Sequence, residues 1–177
     1  NGTSSVQAAD VDGDGDMDAL SASTYDNTIA WYENNGSENF TMRPISTSAN
    51  YAASVYVADV DGDGLDDILV GAYGVGDKGP ITGAAYLILG SSFGASATID
   101  LSAADYKFMG ESEDDHAGYA VGRAGDVDGD GLDDILIGSS GQDAGGAHAG
   151  ATYIILASSL AVNAPTELVQ ADYKFIG

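Results

Sequence analysis

Asp59-Val-Asp-Gly-Asp-Gly-Leu-Asp-Asp67 runs directly into Ile68-Leu-Val-Gly71, and the same acidic loop recurs at Asp126 to Asp134 ahead of Ile135-Leu-Ile-Gly138 and at Asp10 to Asp18. Each copy reads Asp-Val-Asp-Gly-Asp-Gly-x-x-Asp. Carboxylates at positions 1, 3 and 5, with glycines at 4 and 6, let a tight loop turn three side-chain oxygens onto one point. Position 7 adds a backbone carbonyl, and the aspartate at position 9 closes the shell. Hard oxygen ligands in this number, with no sulfur or imidazole, suit calcium better than zinc or copper, and suit magnesium less because it retains its waters. Three Ca²⁺ sites are expected.

The flanks decide the fold. An EF-hand requires a bidentate acid at position 12 of its loop and a helix on each side, whereas position 12 here is Ser21, Val70 or Ile137. Short apolar runs rich in strand-favouring residues follow the loops instead. The loops therefore join β-strands, and an acidic linker would not recur in register between apolar strands.

Two independent landmarks share one period. The second and third loops start 67 residues apart, and Ala104-Asp-Tyr-Lys-Phe-Met-Gly110 returns as Ala171-Asp-Tyr-Lys-Phe-Ile-Gly177 at the same spacing. The first two loops are 49 residues apart, so the first unit has shorter later connections. A repeat of this size cannot cover its apolar face alone. Four strands are predicted per unit: near 5–9, 18–22, 28–33 and 40–45 in unit one (1–50), 54–58, 67–71, 84–89 and 105–109 in unit two (51–110), and 119–125, 134–138, 151–157 and 172–176 in unit three (111–177). Third strands such as Tyr153-Ile-Ile-Leu156 and Tyr86-Leu-Ile-Leu89 are nearly continuous apolar runs, as expected of strands covered on both faces. The fold class is all-β: three four-stranded antiparallel blades of propeller type in a single array. Propellers take at least about four blades to close, so this chain alone does not close a ring. A longer parent chain, a pairing of copies and an open head-to-tail array are all compatible with whole blades whose end faces are uncovered.

Gly118-Tyr-Ala-Val121, the loop within Ala124 to Gly138, and Gly150-Ala-Thr-Tyr153 together resemble the FG-GAP repeat of integrin α-chain propellers and of many bacterial surface proteins. Unit one is similar to related short repeats of large bacterial secreted proteins. Ala117 stands where that family has phenylalanine, and Gly71-Ala-Tyr73 and Gly138-Ser-Ser140 stand where it has Gly-Ala-Pro. These departures touch turns and packing and leave the acidic loops intact. Carried over by position, the resemblance implies side-chain ligands at Asp10, Asp12, Asp14 and Asp18; Asp59, Asp61, Asp63 and Asp67; and Asp126, Asp128, Asp130 and Asp134. Asp16, Leu65 and Leu132 would offer carbonyls. Asp66 and Asp133, at position 8, are expected to be solvated charges.

Composition limits the partners. The 177 residues carry a net charge of −23 with 44% apolar content, so the chain folds but offers no basic face to nucleic acid or anionic membrane. Fifteen of the 28 acids lie in the three loops, so metal uptake should be coupled to folding. Cysteine is absent, which removes disulfides and thiol chemistry. The chain starts at Asn1 and has no apolar stretch of membrane-span length, which fits a processed or excised segment. Loops of this kind serve where calcium is plentiful, which points outside the cell or to its surface.

No catalytic set is apparent, and a non-enzymatic role is expected, because His116 and His148 lack a nucleophile in any recognisable context. The rim opposite the acidic loops should carry Glu111 to His116, Gln142, Asp143 and His148, together with Asp77 and Lys78. By resemblance, ligands use that rim. Expected partners are a protein or glycan ligand or copies of the chain itself, and sequons at Asn1, Asn35 and Asn39 would accept N-glycans. The functions expected are adhesion or scaffolding, with an extracellular fibre protomer and an ancillary domain of a polysaccharide-acting enzyme as alternatives.

Overall fold

The computed structural model describes residues 2–76, 80–92, 101–163 and 166–177. It contains three four-stranded antiparallel sheets, each with its strands in chain order. The first holds β1 (Thr3–Ala9), β2 (Asp18–Ser23), β3 (Thr28–Asn34) and β4 (Phe40–Ser46). The second holds β5 (Ala52–Ala58), β6 (Asp67–Ala72), β7 (Ala84–Ile88) and β8 (Tyr106–Met109). The third holds β9 (Ala117–Gly125), β10 (Asp134–Ser139), β11 (Ala151–Ile155) and β12 (Tyr173–Ile176). Three unclosed meanders of this kind are consistent with propeller blades.

Strand registers explain which side chains meet. In the second sheet Leu69 lies beside Tyr56 and Leu87, and Leu87 beside Tyr106; in the third, Leu136 lies beside Gly122 and Ile154, and Ile154 beside Tyr173. One face of each sheet packs on the opposite face of the next. Leu20, Ile29 and Trp31 of the first sheet meet Ile68, Val70 and Tyr86 of the second in one apolar cluster. Leu69, Leu87 and Phe108 on the far side of the second sheet meet Ile135, Ile137 and Tyr153 of the third in another. Both β6 and β7 are buried along their whole length, as expected for the sheet with a neighbour on each side.

Serine hydroxyls tie the first strands together. Ser5 Oγ accepts from the Val55 amide at 3.2 Å and donates to its carbonyl at 3.3 Å. One sheet further on, Ser54 Oγ accepts from the Val121 amide at 3.1 Å and reaches its carbonyl at 3.5 Å. Glycines allow the same approach. A Cβ on Gly71 would stand 2.1 Å from the Gly118 carbonyl oxygen, and Gly118 itself has φ +77°.

The outermost strands carry a cation at the same place. Arg43, Lys107 and Lys174 lie over the rings of Trp31, Tyr86 and Tyr153, 5.6, 5.5 and 5.5 Å from the centroids. In each case cation and ring are direct cross-strand partners.

The expectation of a third strand reaching Ala157 is corrected. β11 ends at Ile155, and Ala157–Asn163 form a short helix, α1. The Leu156 amide donates to Asp172 Oδ2 at 2.8 Å and the Ala157 amide to Asp134 Oδ1 at 2.9 Å, which turns the chain out of the ladder. Leu160 on α1 then enters the core. The second sheet makes the same turn more tightly, where the Leu89 amide meets Asp105 and Gly90–Ser92 form a 3-10 turn.

Candidate metal centres

All three acidic loops connect the first and second strands of their sheets, so they lie at one end of the array. Glycines at positions 4 and 6 hold left-handed φ values: +74° and +95° at Gly13 and Gly15, +77° and +87° at Gly62 and Gly64, and +83° and +92° at Gly129 and Gly131. Side-chain-bearing residues adopt such values at a cost, which accounts for the invariant Gly-Asp-Gly within this chain. The loop then folds on its own carboxylates. Asp10, Asp59 and Asp126 each accept the amide five residues on, at 2.9, 3.1 and 3.0 Å. At position 5, Asp14, Asp63 and Asp130 accept the amides of Asp16, Leu65 and Leu132 at 2.8, 2.8 and 2.9 Å.

These turns bring positions 1, 3 and 5 together. One carboxylate oxygen each from Asp10, Asp12 and Asp14 lies within 4.8 Å of the others, and the sets Asp59, Asp61, Asp63 and Asp126, Asp128, Asp130 do the same. The donor set is entirely hard oxygen, and such a trio could hold a divalent cation. In the first loop Asp10 Oδ1 is buried and has no hydrogen-bond partner. A buried anionic oxygen without a partner is costly, so the residues present fit a cation. In the third loop Asp128 Oδ2 accepts the Ser158 hydroxyl of α1 at 3.0 Å.

Position 9 is also engaged by the backbone. Asp18, Asp67 and Asp134 are buried, and each carboxylate receives two backbone amides. One comes from position 2 of the same loop, namely Val11, Val60 or Val127, at 3.1, 2.8 and 2.7 Å. The other comes from the end of the third strand or the connection that follows it, namely Asn34, Gly90 or Ala157, at 2.7, 2.7 and 2.9 Å. The acidic loop is thereby tied to its neighbour across the end of the sheet. Burial pushes the Asp67 carboxyl up to about 6, against the opposing pull of those two amides. Burial also raises Asp12, with Asp14 and Asp18 adding to the effect and the Asp14 amide opposing it.

Neighbouring loops touch, which the spacing alone did not disclose. A Cβ on Gly13 would meet Leu65 Cδ2 at 3.6 Å, and one on Gly62 would meet Leu132 Cδ2 at 2.6 Å. The position-7 leucine of one loop thus covers position 4 of the preceding one. Asp66 is half-buried between loops, its carboxyl raised by burial and by Asp10 and Asp59. Asp133 pairs with Arg123 Nη1 at 2.8 Å.

On the opposite rim, Glu111 accepts from Lys174 Nζ at 2.8 Å and Tyr153 Oη at 3.1 Å, and lies 3.4 Å from Gln142 Nε2. Asp115 is buried and accepts the amides of Glu111 and Ser112, so it is a structural turn residue, while Glu113 and Asp114 are exposed. His148 donates its amide to Asp143 at 2.6 Å. His116 lies 5.8 Å edge-on from Tyr73, which also neighbours Tyr51 and Tyr119 at 5.3 and 5.4 Å. Tyr51 and Tyr73 come from the connections before β5 and after β6, and Tyr119 from the start of β9, so local spacing carries no signal of the group. Asp77, Lys78 and Asn1 lie outside the described residues, whereas Asn35 and Asn39 are exposed in and beside the turn joining β3 to β4. Among the described residues, no helix is long and apolar enough to cross a membrane.

The family comparisons agree with the geometry. A family model for the FG-GAP-like repeat matches residues 10–70, and one for the FG-GAP repeat matches residues 117–155. A comparison with curated proteins gives no match. FG-GAP repeats are typically non-catalytic modules of extracellular or surface proteins and commonly bind calcium. The two matches fall on all three acidic loops and together span more than half of the sequence: the chain is an FG-GAP repeat protein.

Proposed function

We propose that the chain is a calcium-stabilised, non-enzymatic propeller-type module of an extracellular or cell-surface protein, serving adhesion or scaffolding. The observation that carries this reading is the threefold convergence of position 1, 3 and 5 carboxylates, one of which keeps a buried oxygen without a partner. The carboxylates at positions 1, 3, 5 and 9 of each loop would hold Ca²⁺ with the carbonyl at position 7, that is Asp16, Leu65 or Leu132, while position 9 also ties the loop to the adjacent connection. Bound calcium supplies charge neutralisation and a fixed point between strands. The chain's own residues do the rest: the glycines permit the turn, and the position-7 leucines set one loop against the next. A protein or glycan ligand would dock on the rim around Tyr51, Tyr73, Tyr119 and His116, and Asn35 and Asn39 are accessible to glycosylation. Calorimetric titration tests the metal reading. Heat of binding with about three ions per chain is expected, and no uptake from millimolar calcium would overturn it.

A further inference from the structure

Each acidic loop closes on its own carboxylates, and one side chain per loop reaches beyond it. In the third loop the Leu132 amide donates to Asp130 Oδ1 at 2.9 Å, so a member of the carboxylate trio sets where this residue lies. The Leu132 carbonyl is the one the loop would offer to its cation, while the side chain reaches the preceding loop. A Cβ on Gly62 would stand 2.6 Å from Leu132 Cδ2. Gly62 is in turn tied to the second trio, because its amide donates to Asp59 Oδ1 at 2.8 Å. Val60, at position 2 of the second loop, belongs to the apolar cluster between the second and third sheets, and Leu132 packs against that cluster.

The arrangement recurs one sheet earlier in a looser form. The Leu65 amide donates to Asp63 Oδ1 at 2.8 Å, and Leu65 Cδ2 would lie 3.6 Å from a Cβ on Gly13. Asp10 Oδ1, the counterpart of the oxygen that receives the Gly62 amide, has no hydrogen-bond partner. Asp10 and Asp59, the first carboxylates of the two loops covered in this way, are half-buried.

We infer that the acidic loops load with calcium cooperatively, each position-7 leucine carrying the occupancy of its own loop to the loop before it. This rests on the calcium reading above and adds how the sites act on one another. With the third loop loaded, Leu132 is held from both sides, by Asp130 at its amide and by the cation at its carbonyl. Leu132 then holds Gly62, and through the Gly62 amide the Asp59 carboxylate, in the arrangement the second loop needs. Linkage is reciprocal, so loading of the second loop tightens the third by the same factor. Coupling of the second loop to the first is weaker, because Leu65 stands farther from Gly13 and Asp10 Oδ1 lacks the matching amide. Charge acts in the opposite sense. One bound cation repels the next, so a purely electrostatic link would weaken a loop as its neighbour fills. The sign of the effect separates packing from charge.

Calcium titration of the full chain, followed by the backbone amide resonances of Gly15, Gly64 and Gly131, reads each loop separately, since each of these amides donates to the first carboxylate of its own loop. Asp130→Asn keeps an oxygen for the Leu132 amide but weakens the third site. It should move the Gly64 midpoint to about fivefold higher calcium, the low end of coupling between sites, and the Gly15 midpoint by less. Leu132→Ala should move the Gly64 midpoint as far, and adding Asp130→Asn to it should move it no further. Leu132→Met, which refills the contact, should restore the wild-type midpoint. A Gly64 midpoint that Asp130→Asn leaves in place or shifts to lower calcium overturns the inference, as does a double variant in which the two effects add. Glycine amides of the wild type that ignore millimolar calcium would overturn the calcium reading and this inference together. Three responses that are independent of one another would leave the calcium reading standing and remove the coupling alone.

Discussion

Withdrawing calcium should lower the melting temperature by an amount that scales with the number of occupied loops. If each of the three carboxylate trios binds with a dissociation constant on the order of 10⁻⁴ M, typical of extracellular calcium modules, about 2 mM free calcium stabilises the fold by about 1.8 kcal/mol per site. Three sites give about 5 kcal/mol, or a shift of about 10–20 °C for a chain of this length. The most informative variant is Asp61→Asn. Asp59 accepts the amides of Gly62 and Gly64, so its loss would damage the loop with or without metal. Asp61 accepts the Asp63 amide at 3.1 Å, which an asparagine oxygen can also do, so the substitution removes chiefly a charge from the trio. Differential scanning calorimetry in calcium and in EDTA should show Asp61→Asn losing at least about one third of the wild-type calcium shift and melting like wild type in EDTA. Asp133→Asn, outside the trio and paired with Arg123, should keep the full shift. Coincident wild-type curves in calcium and EDTA would refute the reasoning, and so would an equal loss in Asp133→Asn.

Three further outcomes are expected. Because burial raises Asp67 to about 6, the metal-free fold holds that proton more tightly than the unfolded chain does. In EDTA the melting temperature should therefore rise as pH falls from about 7 through 6 toward 4, and Asp67→Asn should flatten that slope. Phe108→Ala should cost about 3–5 kcal/mol in urea denaturation, whereas Phe175→Ala, its register counterpart on the open face, should cost far less in the single chain. Gly71→Ala should destabilise by about 1–3 kcal/mol because its Cβ would strike the Gly118 backbone. Gly138→Ala, whose Cβ would make only ordinary van der Waals contact with Ala120, should unfold within about 0.5 kcal/mol of wild type.

Strand order and loop placement were legible because period and pattern agree: an acidic loop followed by Ile-Leu-Val-Gly or Ile-Leu-Ile-Gly fixes where the second strand begins. The convergence of positions 1, 3 and 5 was equally legible, since glycine at 4 and 6 leaves the loop little other choice. Local spacing did not reveal the two amides on each position-9 carboxylate, one of which comes from 16 residues away in the first sheet and 23 in the others. Those partners exist only once the sheet has formed. The same holds for Asp115, which looks like part of an exposed acidic run yet caps a buried turn, and for the tyrosines gathered from two loops and the start of β9. α1 escaped notice because Ala151 to Ala157 reads as one apolar run, and only the Asp172 and Asp134 carboxylates end the strand.

The cations over Trp31, Tyr86 and Tyr153 have a consequence for how such a molecule can fail. Outer strands present unpaired amides and carbonyls that invite another chain to add by backbone pairing, the route to aggregates. Three of the chain's 5 lysines and arginines lie mid-strand on these margins, and Pro44 removes one donor beside Arg43. Charge at the same place on every blade therefore deters lateral growth by backbone pairing.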